Sequence, residues 1–375
     1  NTGNTSNVSV GNAGTGIYSL GGNLNLQGKL TIGTDEAKGV LVTGDNQIVN
    51  NDFSSINLDE NSFAIVNTGN NNQITSNTSN VSLKNKNIFL YSEKSTGNII
   101  NNTKIKAHGN QNYGIYTGGA ASNFAEIDLT NGVGNVGIYS TGQNLAENYA
   151  TIKVGASKVP EKLYSIGMAA GYYDKDNNVS VYTGKIENAN TGKIEVTGKN
   201  GIGMYASGPG SKVINKATGV INLSGDSTIG MYLDDYAVGE NYGTIQTAPN
   251  STGEGIMGVY ALNNAVIKNY GTIRINAVDG IGVYVGKDAS LEGNTSTNDI
   301  NATGTDSEHI YRTSRTDTSK GVRGIRFSLP HLGSLTADVI RNDVNVTPTL
   351  VDTDIATPSP NYVHLAAGDI NLNTF

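Results

Sequence analysis

A repeat with steps of mostly 22 to 28 residues runs along this chain and constrains its fold more than any other feature. In one unit, Ala265–Asn269, Thr272–Ile275 and Ile281–Val285 alternate apolar with other residues, as short half-buried strands do. Alternation points these side chains to one side: Ile267, Asn269, Ile273, Ile275, Ile281, Val283 and Val285. The second strand of each unit carries a pair of mostly apolar positions, and twelve such pairs occur: Val8/Val10, Leu30/Ile32, Ile56/Leu58, Val81/Leu83, Ile105/Ala107, Ile127/Leu129, Ile152/Val154, Ile194/Val196, Ile221/Leu223, Ile245/Thr247, Ile273/Ile275 and Ile300/Ala302.

Three strands and three turns within each step predict one coil of a parallel β-helix. The usual handedness of parallel crossovers favours a right-handed coil. The fold class is therefore all-β: a right-handed, three-faced parallel β-helix of about twelve coils.

The composition agrees with short strands and tight turns. The chain has 48 glycines, and glycine and asparagine accept the positive φ angles that tight turns require. It has no cysteine, which excludes a disulfide framework and thiolate metal sites. Its net charge of −7 argues against nucleic acid and anionic membranes as partners, because both require a basic face.

No apolar run approaches the ~18 residues of a membrane span, so we expect no direct membrane insertion. The chain does not begin with methionine and shows no signal peptide. We interpret it as a segment of a longer protein.

Two regions interrupt the repeat and divide the chain into predicted domains. Residues 1–302 form the β-helix, with loop insertions near 155–164 and 171–184. Residues 303–360 lose the pattern and are predicted to be an irregular insertion or small module, rich in arginine and proline. Residues 361–375 are expected to resume the β-helix.

Several residue types recur in fixed slots of the coil. One asparagine slot is predicted to form an inward hydrogen-bonded ladder: Asn50, Asn101, Asn123, Asn148, Asn188, Asn215, Asn241 and Asn269. The methionines are expected inside, on the third strand: Met168, Met204, Met231 and Met257. An outward tyrosine row follows the third strand: Tyr18, Tyr91, Tyr116, Tyr139, Tyr205, Tyr232, Tyr260 and Tyr284, most of them preceded by outward glycines such as Gly203. Stacked tyrosines stabilise adjacent strands, whereas an exposed row would be a platform for sugars or a protein, and both interpretations stay open.

The insertions carry the candidate binding residues. Tyr172 and Tyr173 are adjacent, and we expect them to be exposed on a protruding loop. The other insertion groups arginines with aromatics, a combination that suits a protein hot spot or an acidic sugar: Tyr311, Arg312, Arg315, Arg323 and Arg326.

Two recurring motifs carry a family resemblance. They are Asn-Tyr-Gly-Thr-Ile, at Asn241–Ile245 and Asn269–Ile273, and Gly-Ile-Gly-Met/Val-Tyr, at Gly201–Tyr205 and Gly280–Tyr284. Residues 4–302 resemble the passenger regions of large type V autotransporter adhesins, and most of all the fusobacterial RadD-like outer-membrane autotransporters. The resemblance implies a bacterial cell-surface location, with an outer-membrane barrel beyond this segment. It also implies partners among other bacteria, host glycans and host-cell surface proteins, including immune receptors.

Catalytic motifs are missing. The chain has no Gly-x-Ser-x-Gly, His-Glu-x-x-His or phosphate loop, and Asp174-x-Asp176-x-Asn178 fails as a calcium loop because Val179 stands where glycine is needed. We therefore predict a monomeric, non-enzymatic adhesin without metal or cofactor, which binds a host-cell surface protein, a glycan or other bacteria through its loops. The alternatives are a purely structural spacer and, third, a polysaccharide-cleaving enzyme.

Overall fold

The computed structural model describes residues 2–4, 6–161, 163–174, 177–286 and 288–312. They form a right-handed parallel β-helix, as the repeat predicts. Each coil contributes one strand to each of three parallel sheets, and each sheet has twelve strands in chain order.

The first sheet contains β1 (Thr2–Asn4), β4 (Leu24–Leu26), β7 (Ile48–Asn51), β10 (Gln73–Ser76), β13 (Asn98–Asn101), β16 (Ala120–Asn123), β19 (Ala146–Asn148), β24 (Lys185–Asn188), β27 (Lys212–Asn215), β30 (Val238–Asn241), β33 (Val266–Asn269) and β36 (Ser290–Gly293). The second sheet contains β2 (Val8–Val10), β5 (Lys29–Ile32), β8 (Ser55–Leu58), β11 (Asn80–Leu83), β14 (Lys104–Ala107), β17 (Ile127–Leu129), β20 (Thr151–Val154), β25 (Lys193–Val196), β28 (Val220–Leu223), β31 (Thr244–Thr247), β34 (Thr272–Asn276) and β37 (Ile300–Thr303).

The third sheet contains β3 (Thr15–Ser19), β6 (Ala37–Val42), β9 (Ser62–Asn67), β12 (Ile88–Ser92), β15 (Tyr113–Thr117), β18 (Val136–Ser140), β21 (Ile166–Ala170), β26 (Ile202–Ser207), β29 (Ile229–Asp234), β32 (Met257–Ala261), β35 (Ile281–Val285) and β38 (Glu308–Arg312). Outside the coils lie a short 3₁₀ turn (Val159–Glu161) and an antiparallel hairpin of β22 (Tyr172–Asp174) and β23 (Val179–Tyr182).

The core runs inside the coils along the whole described rod. The paired apolar positions of the second sheet face it, and Ile221 and Ile245 are fully buried there. Register between coils keeps like residues in line, so that Ile221 lies beside both Ile194 and Ile245. Burial of these aliphatic columns is the main favourable term in folding, and it needs neighbouring coils on both sides.

The inward asparagine ladder is confirmed, with one residue corrected. The Nδ2 group of Asn101 donates to Oδ1 of Asn123 at 2.7 Å, and Asn188 donates likewise to Asn215 at 2.9 Å. Asn51, rather than Asn50, occupies this slot, because Asn51 is fully buried and aligned with Ser76. The unbroken series of side-chain bonds contains Asn101, Asn123, Asn148, Asn188, Asn215, Asn241 and Asn269.

The third sheet departs from strict alternation at its glycines. Strand pairing skips Gly203, and a Cβ on it would lie 3.1 Å from Cγ2 of the core residue Ile221. These glycines therefore face inward, contrary to expectation. Because the glycine is skipped, the residue before it lies on the outer face of the sheet. The predictions that Ile281 and Met257 face inward are therefore wrong. Both residues belong to an outer apolar cluster.

The repeat continues beyond the predicted boundary at residue 302. β38 pairs with β35, aligning Tyr311 with Tyr284 and Arg312 with Val285. The rest of the predicted 303–360 module and the 361–375 segment lie outside the described residues from 313 onward.

Candidate interaction surfaces

The outward tyrosine row stacks along the third sheet but is buried. Tyr232 has no exposed surface, and its ring lies 5.3 Å from that of Tyr260 at an interplanar angle of 19°. Only Tyr18, at the first coil, is half exposed among the tyrosines predicted for this row. The structural interpretation of the row is confirmed, and an exposed platform is excluded at the buried positions.

Tyr172 and Tyr173 are also buried, contrary to the prediction of an exposed pair; their exposed fractions are 2% and 8%. Tyr172 joins the outer apolar cluster of the third sheet. The Tyr173 ring meets the ring of Tyr236 edge-on at 6.2 Å, and its hydroxyl donates to the side chain of Asn178. The prediction failed because the hairpin folds back onto the rod, through contacts between residues far apart in sequence.

The hairpin lies along the corner between the third and first sheets. Tyr173 packs against Gly208: a Cβ atom added to Gly208 would lie 3.2 Å from Cβ of Tyr173. The Ser180 hydroxyl donates to the Pro209 carbonyl at 3.4 Å. Val179, Val181 and Tyr236 remain exposed, and we call these three residues the hairpin surface.

Asp174 serves the hairpin turn. Its carboxylate accepts hydrogen bonds from the backbone and side chain of Asn177, at 3.2 and 2.6 Å. Across the described ranges, no group of three or more histidine, aspartate or glutamate side chains could hold a metal ion. Nor does any helix among the described residues have the length and apolarity to cross a bilayer.

The predicted arginine tract is described only at its beginning. Tyr311 is buried and stacks on Tyr284 at 5.2 Å, whereas Arg312 is exposed. Arg315, Arg323 and Arg326 lie outside the described residues. The proximity of these three arginines to Tyr311 and Arg312 therefore stays a prediction.

Two exposed aromatic pairs form a surface that the sequence analysis missed. Phe124 stacks on Tyr149 with ring centroids 4.9 Å apart, and Tyr242 stacks on Tyr270 at 5.2 Å. Phe124, Tyr242 and Tyr270 are 52%, 41% and 46% exposed. Each ring follows directly after a ladder asparagine, at the corner where the chain turns from the first sheet to the second. We call the four residues the corner aromatics.

A sequence signal for the corner aromatics was available. The motif Asn-Tyr-Gly-Thr-Ile occurs at Asn241–Ile245 and Asn269–Ile273. Its asparagine faces inward, so the tyrosine after it must face out. Repetition in the next coil then places two rings in line, about one strand spacing apart.

Charged groups of the first sheet surround the corner aromatics. The Tyr149 hydroxyl donates to Glu147 at 2.7 Å, and this bond together with burial raises the pKa of Tyr149 to about 12. The Tyr242 hydroxyl donates to Glu240 at 3.3 Å, and Lys212 pairs with the same carboxylate at 2.7 Å.

Between the two aromatic pairs, Nζ of Lys216 lies 3.3 Å from Oε2 of Glu187. Burial raises the pKa of the Glu187 carboxyl. Flat apolar rings beside carboxylates and ammonium groups can bind the C–H face and hydroxyls of a sugar. The same groups can also form a protein contact.

A comparison with protein families matches this chain to a known family. The model described as the BigA third pectate lyase-like domain matches residues 1–243 of the 375. No curated protein matches the chain, and no solved structure does.

Proposed function

This chain belongs to the family of the BigA third pectate lyase-like domain, and from that premise we propose that it is the binding segment of a bacterial adhesin. Family membership supports a surface-exposed, adhesin-like bacterial protein with an autotransporter-like passenger. We propose in addition that this segment itself binds a host-cell surface protein, a glycan or other bacteria. The kinship to fusobacterial RadD-like passengers is part of the proposal.

The corner aromatics support this proposal most. A β-helix needs no exposed aromatic ring for its own core, and most corner positions in the same column are polar, such as Asn77 and Asn102. Exposed tyrosines beside paired charges resemble the composition of recognition surfaces. Two such pairs on one corner would give a ligand two points of contact along the rod.

The spacer alternative has its own support. Side-chain ladders, aligned registers and stacked tyrosines all serve the cohesion of the rod. Stacking within each aromatic pair could likewise serve only to stabilise adjacent coils. Binding measurements on this segment separate the two functions.

The experiment measures binding of the segment to arrays of glycans and host receptors and to bacterial cells. Tyr242→Ala/Tyr270→Ala and Phe124→Ala/Tyr149→Ala should each weaken attachment about fivefold or more, the usual result of truncating an aromatic anchor. Leu20→Ala, at an exposed apolar residue of another corner, is the matched control and should bind as wild type.

Two results would favour other functions. A wild-type segment that binds nothing on any array supports the spacer. Release of cleaved product from a glycan supports the polysaccharide-cleaving enzyme.

The arginine tract is tested separately. Replacing Arg312, Arg315, Arg323 and Arg326 with serine should leave the circular-dichroism spectrum β-rich but weaken attachment. Added salt should weaken wild-type binding in the same way, because screening reduces contacts between exposed charges. If the fourfold variant binds as wild type does, the arginine tract is not the binding site.

A further inference from the structure

A polar groove lies at the corner where the chain turns from the second sheet to the third, a different corner from that of the corner aromatics. Its volume of about 420 Å³ is in the range of small-molecule sites. The third, fourth and fifth coils each contribute two adjacent residues to its lining: Glu60, Asn61, Asn85, Lys86, Asn110 and Gln111. The groove therefore runs along the rod for two strand spacings, about 10 Å. We call it the amide groove.

One column of this lining is a hydrogen-bonded ladder. Nδ2 of Asn85 donates to Oε1 of Glu60 at 2.7 Å. The backbone N–H of Asn110 donates to Oδ1 of Asn85 at 2.8 Å, and that of Val133 donates to Oδ1 of Asn110 at 2.9 Å. These bonds orient both carboxamides, and no described residue bonds to Nδ2 of Asn110. The ladder thus leaves that amide group and the Glu60 carboxylate to bind a ligand.

The other column consists of residues with a left-handed backbone. The φ angle is 50° at Asn61, 55° at Lys86 and 62° at Gln111. Lysine and glutamine rarely adopt this conformation, whereas glycine adopts it without steric cost. The backbone N–H groups of Asn61 and Lys86 each donate to a carbonyl of the next coil at 2.8 Å. Backbone bonds therefore hold these turns, and the fold does not require the side chains of Asn61 and Lys86.

The side chains of Asn61 and Lys86 are available to a ligand. Among the described residues, neither side chain has a hydrogen-bond or ion-pair partner. The Lys86 ammonium offers three donors, and the Asn61 carboxamide offers two donors and an acceptor. Glu60 balances the charge of Lys86 within the groove, and beside it Lys84 pairs with Asp59 at 2.9 Å. A suitable ligand therefore carries groups that both donate and accept hydrogen bonds, and little net charge.

We propose that the amide groove binds a short neutral oligosaccharide through its hydroxyls. Sugar hydroxyls can accept from Lys86 and Asn110 and donate to Glu60. The six lining side chains include no aromatic or aliphatic residue, so the groove offers no pocket for the apolar anchors of a protein partner. On the sixth coil the corner consists of residues 132–134, Gly-Val-Gly, and these carry no polar side chain. The remaining length of about 10 Å suits two linked sugar rings.

The amide groove and the corner aromatics are separate sites, and this inference does not require that the corner aromatics bind anything. Without an aromatic ring to stack on, a disaccharide should bind the groove weakly, with a dissociation constant on the order of 1 mM. Weak single contacts are useful on a surface protein, because many copies of the rod can engage one polysaccharide together.

The test is saturation-transfer-difference NMR on the intact 375-residue chain with cellobiose, maltose, lactose and mannobiose. At least one of these disaccharides should receive saturation from the wild-type protein. Asn61→Gly/Lys86→Gly removes both available side chains and leaves residues that accept positive φ, so the circular dichroism and melting temperature should not fall. This variant should bind the same disaccharide about fivefold more weakly, or worse, because it loses a charge-assisted hydrogen bond and a neutral one.

Two control variants separate this site from the rest of the rod. Asn200→Gly/Ser227→Gly makes the same change in the same turn slot of the eighth and ninth coils, where φ is 58° and 54°, and should bind as wild type. Tyr242→Ala/Tyr270→Ala should also keep the disaccharide signal. The proposal is overturned if none of the four disaccharides receives saturation, or if Asn61→Gly/Lys86→Gly binds as wild type does. Loss of the signal only in Tyr242→Ala/Tyr270→Ala would overturn it too, while supporting the function proposed for the corner aromatics.

Host glycans and bacterial polysaccharides share this hydroxyl chemistry, and a second measurement distinguishes the two sources. Beads coated with neutral host glycans and beads coated with neutral bacterial polysaccharide are incubated with the intact chain. Asn61→Gly/Lys86→Gly should weaken attachment to at least one kind of bead about fivefold or more, and that kind identifies the source. Unchanged attachment of the variant to both kinds of bead would contradict the proposal.

Discussion

The second and third sheets are built from the same twelve coils, yet their outer faces have opposite chemistry. Outside the second sheet, charged groups pair across neighbouring coils, as Lys153 does with Glu126 at 2.8 Å. Outside the third sheet, tyrosine rings stack with no water-exposed surface, as at Tyr232. Inward positions are fixed by the shared core, whereas outward positions follow whatever contacts that side of the rod. The outer faces are therefore where one coil design acquires different roles.

The largest loss of stability should come from a change in the aliphatic core that both sheets share. Ile221→Asp places a carboxylate in the fully buried aliphatic column and should destabilise the coils around it by more than about 4 kcal/mol. Because a solenoid can unfold locally, limited proteolysis with mass spectrometry measures this better than a single melting temperature. The outward substitution Thr244→Asp is the control and should be nearly silent. Comparable proteolysis in both variants would refute the inward and outward assignment.

A direct test of the comparison replaces one outward residue of each sheet. Tyr232→Ala should cost about 3–5 kcal/mol, because it removes a large buried ring. Asn222→Ala, outward on the second sheet in the same coil, should cost less than about 1 kcal/mol. Chemical denaturation of the two variants measures the difference. Equal, small losses of unfolding free energy in the two variants would mean that the outer apolar cluster of the third sheet does not stabilise the rod as the inner core does.

Two adjacent asparagines permit a smaller but closely matched comparison. Asn101 belongs to the buried ladder, and Asn102 donates to Asn77 at 2.8 Å in an exposed one. Asn101→Ala leaves buried polar groups without a partner and should cost about 1–3 kcal/mol. Asn102→Ala should stay within about 0.5 kcal/mol, since water replaces the lost bond. If Asn102→Ala lowers the melting temperature more than Asn101→Ala does, burial does not determine how much each ladder contributes to stability.

The smallest effect concerns the titration of a corner aromatic. Folding raises the pKa of Tyr149 from the usual 10.0 to about 12, so the folded state holds the phenol proton more tightly. The associated stability is complete below about pH 10 and is lost as pH rises toward 12. Glu147→Gln should move this titration back toward 10, measured as the near-ultraviolet difference between each protein and its Tyr149→Phe counterpart. An unchanged titration would show that Glu147 does not cause the shift.

Much of this fold follows from the sequence, because inward alternation recurs in every coil. The second-sheet pairs, such as Ile221 with Leu223, and most of the asparagine ladder are visible as periodic positions. Alternation fails at Gly203, because a skipped residue reverses the phase of the strand. No pattern within a strand reveals what covers its outer side, so the burial of Tyr232 could not be predicted.

The candidate surfaces were harder to predict for a related reason. Burial of Tyr172 and Tyr173 depends on a hairpin that folds back onto coils far along the chain. By contrast, the exposure of Tyr242 and Tyr270 follows from their place after an inward asparagine. That local rule could have been applied to the sequence directly.

The asparagine ladder has an evolutionary consequence. Asn188 and Asn215 are 27 residues apart and occupy the same slot of successive coils. A deletion of Ala189–Asn215 would join Asn188 directly to Lys216, in phase, and leave Asn188 facing Asn241. Duplication of the same stretch would be equally well tolerated. Genes for such rods can thus gain or lose whole coils through recombination between repeats. The length of the rod can therefore change between related proteins, while each remaining surface keeps its local geometry.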